Sequence, residues 1–178
     1  VLDNLTQVND PKGLNTNYSY NGFGDLTQLQ SPDTGTAGYS YDRASNRTAQ
    51  TDARSVTTTY GYDALNRLTA VGSPTASLNI GYVYDTAQPA CASDETFGVG
   101  RLTKITDHSG STVYCYNRFG DLVRKVQITN GRTFTLRHVF DAAGRMTGMV
   151  YPDGAAVDYV HDAQGRVDGL LTHAVDVT

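Results

Sequence analysis

The sequence contains no tryptophan, only two cysteines and only two methionines among its 178 residues. Hydrophobic residues make up 39% of the chain, which is too few for a conventional core between two packed layers. A sheet built from such a chain has to be held together by side chains of neighbouring strands, which contribute about 0.2–1 kcal/mol per pair. We therefore expect ladders of tyrosine and threonine to replace a deep core.

Long apolar runs and clusters of basic charge are also missing. No stretch approaches the roughly 20 apolar residues of a membrane span, so none is predicted. The 18 acidic and 14 basic residues give a net charge of −4 and are scattered along the chain. Nucleic-acid binding needs clustered lysine and arginine, so we expect no nucleic-acid partner.

Motifs for catalysis and metal binding are absent as well. The sequence has no Gly-x-Ser-x-Gly elbow, no phosphate-binding loop and no dinucleotide-binding glycine motif. The four histidines, His108, His138, His161 and His173, lack the spacing of metal ligands. Paired catalytic carboxylates or calcium-binding turns among the many aspartates are disfavoured alternatives. We therefore predict a protein that is not an enzyme and that needs no metal and no cofactor.

Tyrosine is abundant, with 12 copies, and most of them belong to a recurring motif. Its copies are Tyr18-Ser19-Tyr20-Asn21, Tyr39-Ser40-Tyr41-Asp42, Tyr60-Gly61-Tyr62-Asp63, Tyr82-Val83-Tyr84-Asp85, Tyr114-Cys115-Tyr116-Asn117, His138-Val139-Phe140-Asp141 and Tyr159-Val160-His161-Asp162. Successive copies begin 21, 21, 22, 32, 24 and 21 residues apart. A nearly fixed period of this length indicates an array of one supersecondary unit.

The motif predicts a strand followed by a tight turn. Two aromatic residues two positions apart lie on one face of a strand. The Asp or Asn that follows can close a turn through its side chain, and the Gly three residues later allows a positive φ. Asn66 takes the place of this Gly in the third copy. In the second copy Ser45 is followed by Asn46, which predicts a turn one residue longer.

A second strand follows each of these turns and ends in another turn signal such as Pro152-Asp153-Gly154. Its apolar residues are often three apart, as at Leu26 and Leu29 or at Leu68 and Val71. This spacing departs from the period of two and indicates either a β-bulge or burial of both faces. Each repeat is thus two short strands and two turns.

We assign a structural role to the residues of the repeat motif. They are Tyr18, Tyr20, Tyr39, Tyr41, Asp42, Tyr60, Tyr62, Asp63, Asn66, Tyr82, Tyr84, Asp85, Tyr114, Tyr116, Gly120, Phe140, Asp141, Gly144, Tyr159, Asp162 and Gly165. An arginine follows many first turns, at Arg47, Arg67, Arg101, Arg145 and Arg166. We expect the aliphatic part of each arginine side chain to pack over neighbouring tyrosines. Its guanidinium group would lie in water or pair with an aspartate.

One irregular segment, residues 86–100, is inserted in the fourth repeat and contains Cys91. The other cysteine, Cys115, lies in the next Tyr-x-Tyr pair. Neighbouring strands could bring the two within bonding distance, and such a disulfide would fit an exported protein. The alternative is two unpaired thiols, one of them packed as a small hydrophobic group.

The pattern Tyr-x-Tyr-Asp-x-x-Gly/Asn-Arg-Leu resembles the YD repeat of the Rhs family. That family includes bacterial wall-associated proteins, the C component of insecticidal toxin complexes and animal teneurins. The resemblance extends from the half repeat at Leu5 to the copy at Tyr159, with departures at His138, Phe140 and His161 and a disrupted fourth copy. It implies an all-β fold in which tandem hairpins form a curled antiparallel sheet, part of a spiral β-shell.

The resemblance also implies a function and partners. In bacterial members of the family the shell encloses a toxic C-terminal domain before delivery. We therefore expect the partners to be further repeats and a toxin domain of the same protein, which would be secreted or displayed at the bacterial cell surface. The competing hypothesis is a carbohydrate-binding or cell-surface-binding module, whose exposed tyrosines would contact glycans.

We expect residues 1–178 to form a single array of about seven repeats. Seven repeats of two strands would span roughly 65 Å, a width at which a twisted sheet should curl. The chain opens at Val1 inside a half repeat, without an initiating Met or a signal peptide, so we expect it to be a piece of a longer protein. Its end strands would otherwise pair edge to edge with another copy.

Overall fold

The computed structural model describes residues 3–175, and these residues form an all-β protein, as predicted. The strands are β1 (Gln7–Asn9), β2 (Asn15–Tyr20), β3 (Leu26–Ser31), β4 (Gly35–Tyr41), β5 (Arg47–Thr51), β6 (Thr57–Tyr62), β7 (Leu68–Gly72), β8 (Ile80–Tyr84), β9 (Leu102–Asp107), β10 (Gly110–Tyr116), β11 (Leu122–Thr129), β12 (Arg132–Phe140), β13 (Met146–Val150), β14 (Ala155–His161) and β15 (Val167–Ala174). A single 3₁₀ turn, Ala76–Leu78, lies between β7 and β8.

The strands pair in chain order with antiparallel neighbours. The chain divides after Gly81 into two compact units. In the first unit the ladder runs from β1 to the start of β8, and in the second it runs from β9 to β15. Each unit is therefore a meander of hairpins, as expected for connections of only a few residues.

A β-bulge lies in the second strand of the repeat. In the β6–β7 hairpin Tyr62 lies opposite Leu68 and Tyr60 opposite Val71, so that Thr69 is an extra residue. The bulge therefore places Leu68 and Val71 on the same face as the two tyrosine rings. The three-residue spacing is explained by the bulge and not by burial of both faces.

The same register shift recurs in both units. It lies at Ser19/Tyr20, Ser40/Tyr41, Cys115/Tyr116, Val139/Phe140 and Val160/His161. The bulge is thus a regular part of the repeat.

The first turn has one geometry in every copy except the fourth, so our prediction of a longer turn in the second copy is wrong. Asp42 N–H donates to the carbonyl of Asn46 (2.9 Å), and Ser45 N–H donates to that of Asp42 (3.2 Å). Ser45 has φ +62°, much like Asn66 with φ +60° in the next copy. The turn keeps its length because a single left-handed residue closes it, and Ser45 takes that conformation.

The buried core is small. Among residues 3–175 the buried side chains are Val113, Cys115, Val126, Ala156 and Thr103. The first three form one cluster, with Cys91 packed against it. The tyrosines of the motif are half-buried, so the sheet is held mainly by contacts between strands, as its composition suggested.

Candidate functional site

The repeat builds a ring face, which we define as the face of the sheet that carries the Tyr-x-Tyr side chains. On this face the hydroxyl of the second tyrosine of a pair donates a hydrogen bond to the preceding repeat. The acceptor is a backbone carbonyl at the start of that repeat's second strand or just before it. The bonds join Tyr20 to Leu5 (3.0 Å), Tyr62 to Arg47 (3.0 Å) and Tyr116 to Leu102 (2.9 Å). Each such tyrosine links two successive hairpins in addition to packing within its own.

The arginines after the first turns lie against these rings or pair with the turn carboxylates. The Arg47 guanidinium is 5.0 Å from the ring centroid of Tyr60 and 5.8 Å from that of Tyr39. Arg101 lies 5.6 Å from the ring centroid of Tyr116. Burial raises the pKa of Tyr116, while the charge of Arg101 lowers it in part. The arginines therefore act as packing and pairing groups on the ring face.

The carboxylates of the turn aspartates accept hydrogen bonds from residues of their own turns. Asp63 Oδ1 accepts hydrogen bonds from the N–H groups of Leu65 (2.9 Å) and Arg67 (3.0 Å), and Oδ2 accepts from Arg67 Nε (2.7 Å). The backbone N–H of Arg67, together with its side chain, lowers the pKa of Asp63. A carboxylate with both oxygens engaged in this way closes the turn, and the pattern recurs at Asp141 and Asp162.

No cluster of three or more His, Cys, Asp or Glu side chains suited to a metal ion lies within residues 3–175. None of the described helices is long and apolar enough to cross a membrane.

The glycine positions of the first turn take the left-handed conformation. Gly120, Gly144 and Gly165 have φ of +91°, +75° and +80°. At Gly120 the guanidinium of Arg101 occupies the place that a Cβ would take. The positive φ favours glycine there, and the absence of a Cβ lets the Arg101 guanidinium approach the backbone.

The fourth copy places its insertion inside the first turn. Tyr82 and Tyr84 lie in β8, and Asp85 N–H donates to the carbonyl of Arg101 (3.1 Å). Asp85 Oδ1 accepts from the N–H of Gly100 (2.6 Å). Asp85 and Arg101 thus close the hairpin as Asp63 and Arg67 do in the third copy, and residues 86–100 lie between them.

A disulfide fastens the insertion to the sheet. Cys91 and Cys115 are bonded, with their Cα atoms 5.4 Å apart. Cys115 is only 1% exposed and packs with Val113 and Val126. It lies on the face opposite the tyrosine rings, because side chains alternate along β10.

An ion pair and two backbone hydrogen bonds also hold the insertion in place. Arg124 donates from Nη2 to Glu95 Oε1 (2.8 Å), and Arg124 Nε lies 2.8 Å from Glu95 Oε2. Tyr116 N–H donates to the carbonyl of Glu95, and Phe97 N–H donates to that of Tyr116 (both 3.1 Å). The Glu95–Arg124 pair was not predicted, because the two residues are 29 positions apart and belong to no motif.

A threonine at the bulge has a role that was not predicted. The hydroxyls of Thr27, Thr103 and Thr147 donate to the carbonyls of the residues between the two aromatic positions, Ser19, Val83 and Val139 (3.1, 3.1 and 3.4 Å). A signal was present, since threonine directly follows the first apolar residue of the second strand in these copies. Such a hydroxyl satisfies a carbonyl beside the irregular step of the ladder.

Comparison with known proteins agrees with this architecture. A family model described as RHS repeat matches residues 1–36, 41–77 and 116–157, which together are more than half of the chain. No curated protein matches.

Several solved structures share the fold. The chain is similar to TcdB2–TccC3–TEV, with 15% identity and a TM-score of 0.65 over 89% of this chain and 9% of that one. It is also similar to TcdB2–TccC3, with 14% identity and a TM-score of 0.63, over 94% of this chain and 11% of that one. A third similar structure is the Photorhabdus luminescens Tc holotoxin pore with a TccC3 mutation. Its identity to this chain is 14% and the TM-score is 0.66, over 89% of this chain and 9% of that one.

This chain spans about a tenth of the length of the matched structures. At these identities the likeness shows the fold alone, whereas the family model matches more than half of the chain. The chain belongs to the RHS repeat family.

Proposed function

We propose that this chain is a wall segment of the hollow shell of an RHS-repeat protein, and that the shell encloses a C-terminal toxin domain and helps to deliver it. The observation that carries the proposal is the likeness of fold to TcdB2–TccC3 over 94% of the chain. The segment itself is proposed to be structural and to catalyse no reaction.

The chemistry of the repeat supports a wall. Tyrosine hydroxyls such as that of Tyr62 bond to backbone of the preceding repeat, and carboxylates such as that of Asp63 close turns. Because these groups form hydrogen bonds within the sheet, they have little hydrogen-bonding capacity left for a substrate. A binding module of the kind considered above would instead leave its tyrosines exposed.

We further propose that the parent protein is exported by bacteria and that this segment works outside the reducing cytosol. The Cys91–Cys115 disulfide supports this location, since disulfides persist in oxidising compartments. The proposed partners are further repeats, which would pair with the outer strand of each end hairpin, and the enclosed toxin domain.

Solution scattering of this chain combined with a glycan-array screen of the same sample tests the proposal. We expect a curved, open, sheet-like particle and no glycan signal, with the denatured chain as the control on the array. A compact particle that binds one class of glycan and protects its tyrosines on binding would overturn the wall proposal in favour of a carbohydrate-binding module.

The enclosure is tested in the parent protein that the proposal requires. Limited proteolysis should leave its C-terminal domain intact while the shell is closed and cleave it after partial denaturation. Equal cleavage under both conditions would count against enclosure.

A further inference from the structure

A cleft of about 350 Å³ lies between the insertion and the first turn of the fifth repeat. It is lined by Asp94, Phe97, Asn117, Arg118 and Phe119. All five residues belong to the second compact unit. The volume is in the range of small-molecule sites in proteins.

Two phenyl rings give the cleft an apolar lining that is open to solvent. Phe119 is 68% exposed and Phe97 is 44% exposed. Phe119 is held at the tip of its turn because Asn117 Oδ1 accepts a hydrogen bond from its N–H (2.9 Å). Covering these rings would remove apolar surface from water and so favours a ligand with an apolar group.

The cleft also carries one charge of each sign. The Arg118 guanidinium lies 4.6 Å from the ring centroid of Phe119, and the Arg118 side chain is exposed to solvent. Within residues 3–175 neither Arg118 nor Asp94 takes part in an ion pair. A ligand can therefore place an anion at Arg118 and a cation at Asp94 without breaking an existing pair.

The cleft is held in shape before any ligand arrives. The insertion that supplies Asp94 and Phe97 is fastened by the Cys91–Cys115 disulfide. Glu95, between those two residues, accepts a hydrogen bond from Arg124 and another from the N–H of Ala92 (3.1 Å). Because the walls are fixed, a small ligand loses less free energy in ordering them.

We propose that this cleft binds an aromatic α-amino acid in its zwitterionic form. The ligand's ring packs on Phe97 and Phe119, its carboxylate pairs with Arg118 and its ammonium pairs with Asp94. A ligand with a single charge pairs with either Arg118 or Asp94 and leaves the other residue without a partner in the ligand. The site is independent of the wall function proposed above, and either proposal can fail without the other.

An NMR titration of the intact, oxidised chain tests the proposal, with L-phenylalanine as the probe. Three derivatives serve as comparison ligands: N-acetyl-phenylalanine, phenylalanine amide and N-acetyl-phenylalanine amide. We expect chemical-shift changes at the amides of Phe97 and Phe119. Each charge that a derivative lacks should weaken its binding about 1.4- to 5-fold relative to L-phenylalanine, the range of exposed ion pairs.

Single substitutions assign the two charges. In Asp94→Asn the free ammonium should no longer improve binding, while the carboxylate should still do so. In Arg118→Gln the reverse should hold. Both side chains are exposed, so the variants should fold, and the dispersion of the amide spectrum checks this directly.

The first repeat supplies a matched control. Phe23 lies at the tip of an equivalent Asn-x-Phe-Gly turn, is 85% exposed and has no insertion beside it. Phe119→Ala should abolish the shifts, and Phe23→Ala should leave them unchanged. Equal shifts at Phe23 and Phe119, or equal binding of all four ligands, would overturn the proposal, as would the absence of any shift at Phe119.

Discussion

At the scale of single residues, the second tyrosine of each pair has two roles. Tyr62 packs its ring opposite Leu68 within its own hairpin and donates its hydroxyl to the carbonyl of Arg47 in the preceding strand. Its half-buried ring contributes apolar contacts, while its polar tip has a hydrogen-bond partner. Removing the hydroxyl and removing the ring should therefore have separate effects.

We expect Tyr62→Ala to lower the free energy of unfolding by roughly 2–4 kcal/mol, because it removes the ring contacts of a large, half-buried side chain as well as its hydrogen bond. Tyr62→Phe should lower it by about 0.5–1.5 kcal/mol, the net value of one hydrogen bond. Urea denaturation measures both. The exposed Ser40, on the opposite face, is the control, since Ser40→Ala should change stability by less than about 0.5 kcal/mol. An equally small effect of Tyr62→Ala would contradict the ring ladder.

The turn aspartates make stability depend on pH. Hydrogen bonds from backbone N–H groups and from arginine lower the pKa of Asp63, Asp141 and Asp162 below the ordinary value of 3.8. A carboxyl group whose pKa is lower in the folded state stabilises the fold fully above its unfolded pKa. This stabilisation is lost as the pH falls through the lower, folded pKa.

The free energy of unfolding should therefore fall between about pH 5 and pH 2. It should fall less steeply in the triple variant Asp63→Asn, Asp141→Asn, Asp162→Asn. Asn can close the same turn, as Asn21 does by accepting from the N–H groups of Phe23 and Asp25. Urea midpoints measured across this range test the expectation. Asp63→Ala is the control, because it removes the acceptor and should destabilise at every pH. An unchanged slope in the triple variant would show that these carboxyl groups do not carry the effect.

At the scale of elements, the bulge sets the register of each hairpin. It lets two apolar residues three apart face the rings, and threonines at the bulge donate to a carbonyl across the hairpin. Thr103 is the most buried of them, at 1% exposed, and its hydroxyl donates to Val83 (3.1 Å). The loss of this donor should be more costly than the loss of its partly exposed counterpart Thr27.

We expect Thr103→Val to destabilise the chain by about 0.5–1.5 kcal/mol, the net value of one hydrogen bond, because it removes the hydroxyl that donates to the carbonyl of Val83. Thr27→Val should have a smaller effect, since water can replace the hydroxyl there. Chemical denaturation of both variants and the parent chain gives the comparison. If the two substitutions have equal effects, the hydroxyl at Thr103 is not the stabilising group.

At the scale of the whole molecule, the small core makes covalent restraint important. Only a few side chains among residues 3–175 are buried, and three of them, Val113, Cys115 and Val126, lie where the insertion is fastened. The disulfide joins residues 24 positions apart. It therefore restricts the unfolded chain as well as anchoring the insertion.

Replacing both cysteines by alanine should lower the free energy of unfolding by about 3 kcal/mol. Adding a thiol reductant to the parent chain should produce a similar loss and should leave the double variant unchanged. Urea unfolding with and without reductant makes the comparison. A parent chain that is equally stable under both conditions would show that the bond does not contribute.

The sequence alone determined the repeat, because its signals are local. An aromatic pair at spacing two, an Asx residue and a left-handed position three residues later specify a strand and a turn without reference to distant residues. Asp63, Asn66 and Gly120 were placed correctly in turns for this reason. Family membership followed from the same motif.

Other features were decided only by the tertiary structure, because they depend on contacts across strands. The three-residue spacing of Leu68 and Val71 fitted two arrangements until pairing with β6 showed the bulge. The turn at Ser45 kept its length because the ladder on both sides fixed where the strands end. Glu95 and Arg124 meet only once the insertion folds back on β10 and β11, and the cleft beside Phe119 forms from the same approach. Local chemistry therefore specified the hairpin, and long-range packing specified how the irregular segment was built onto it.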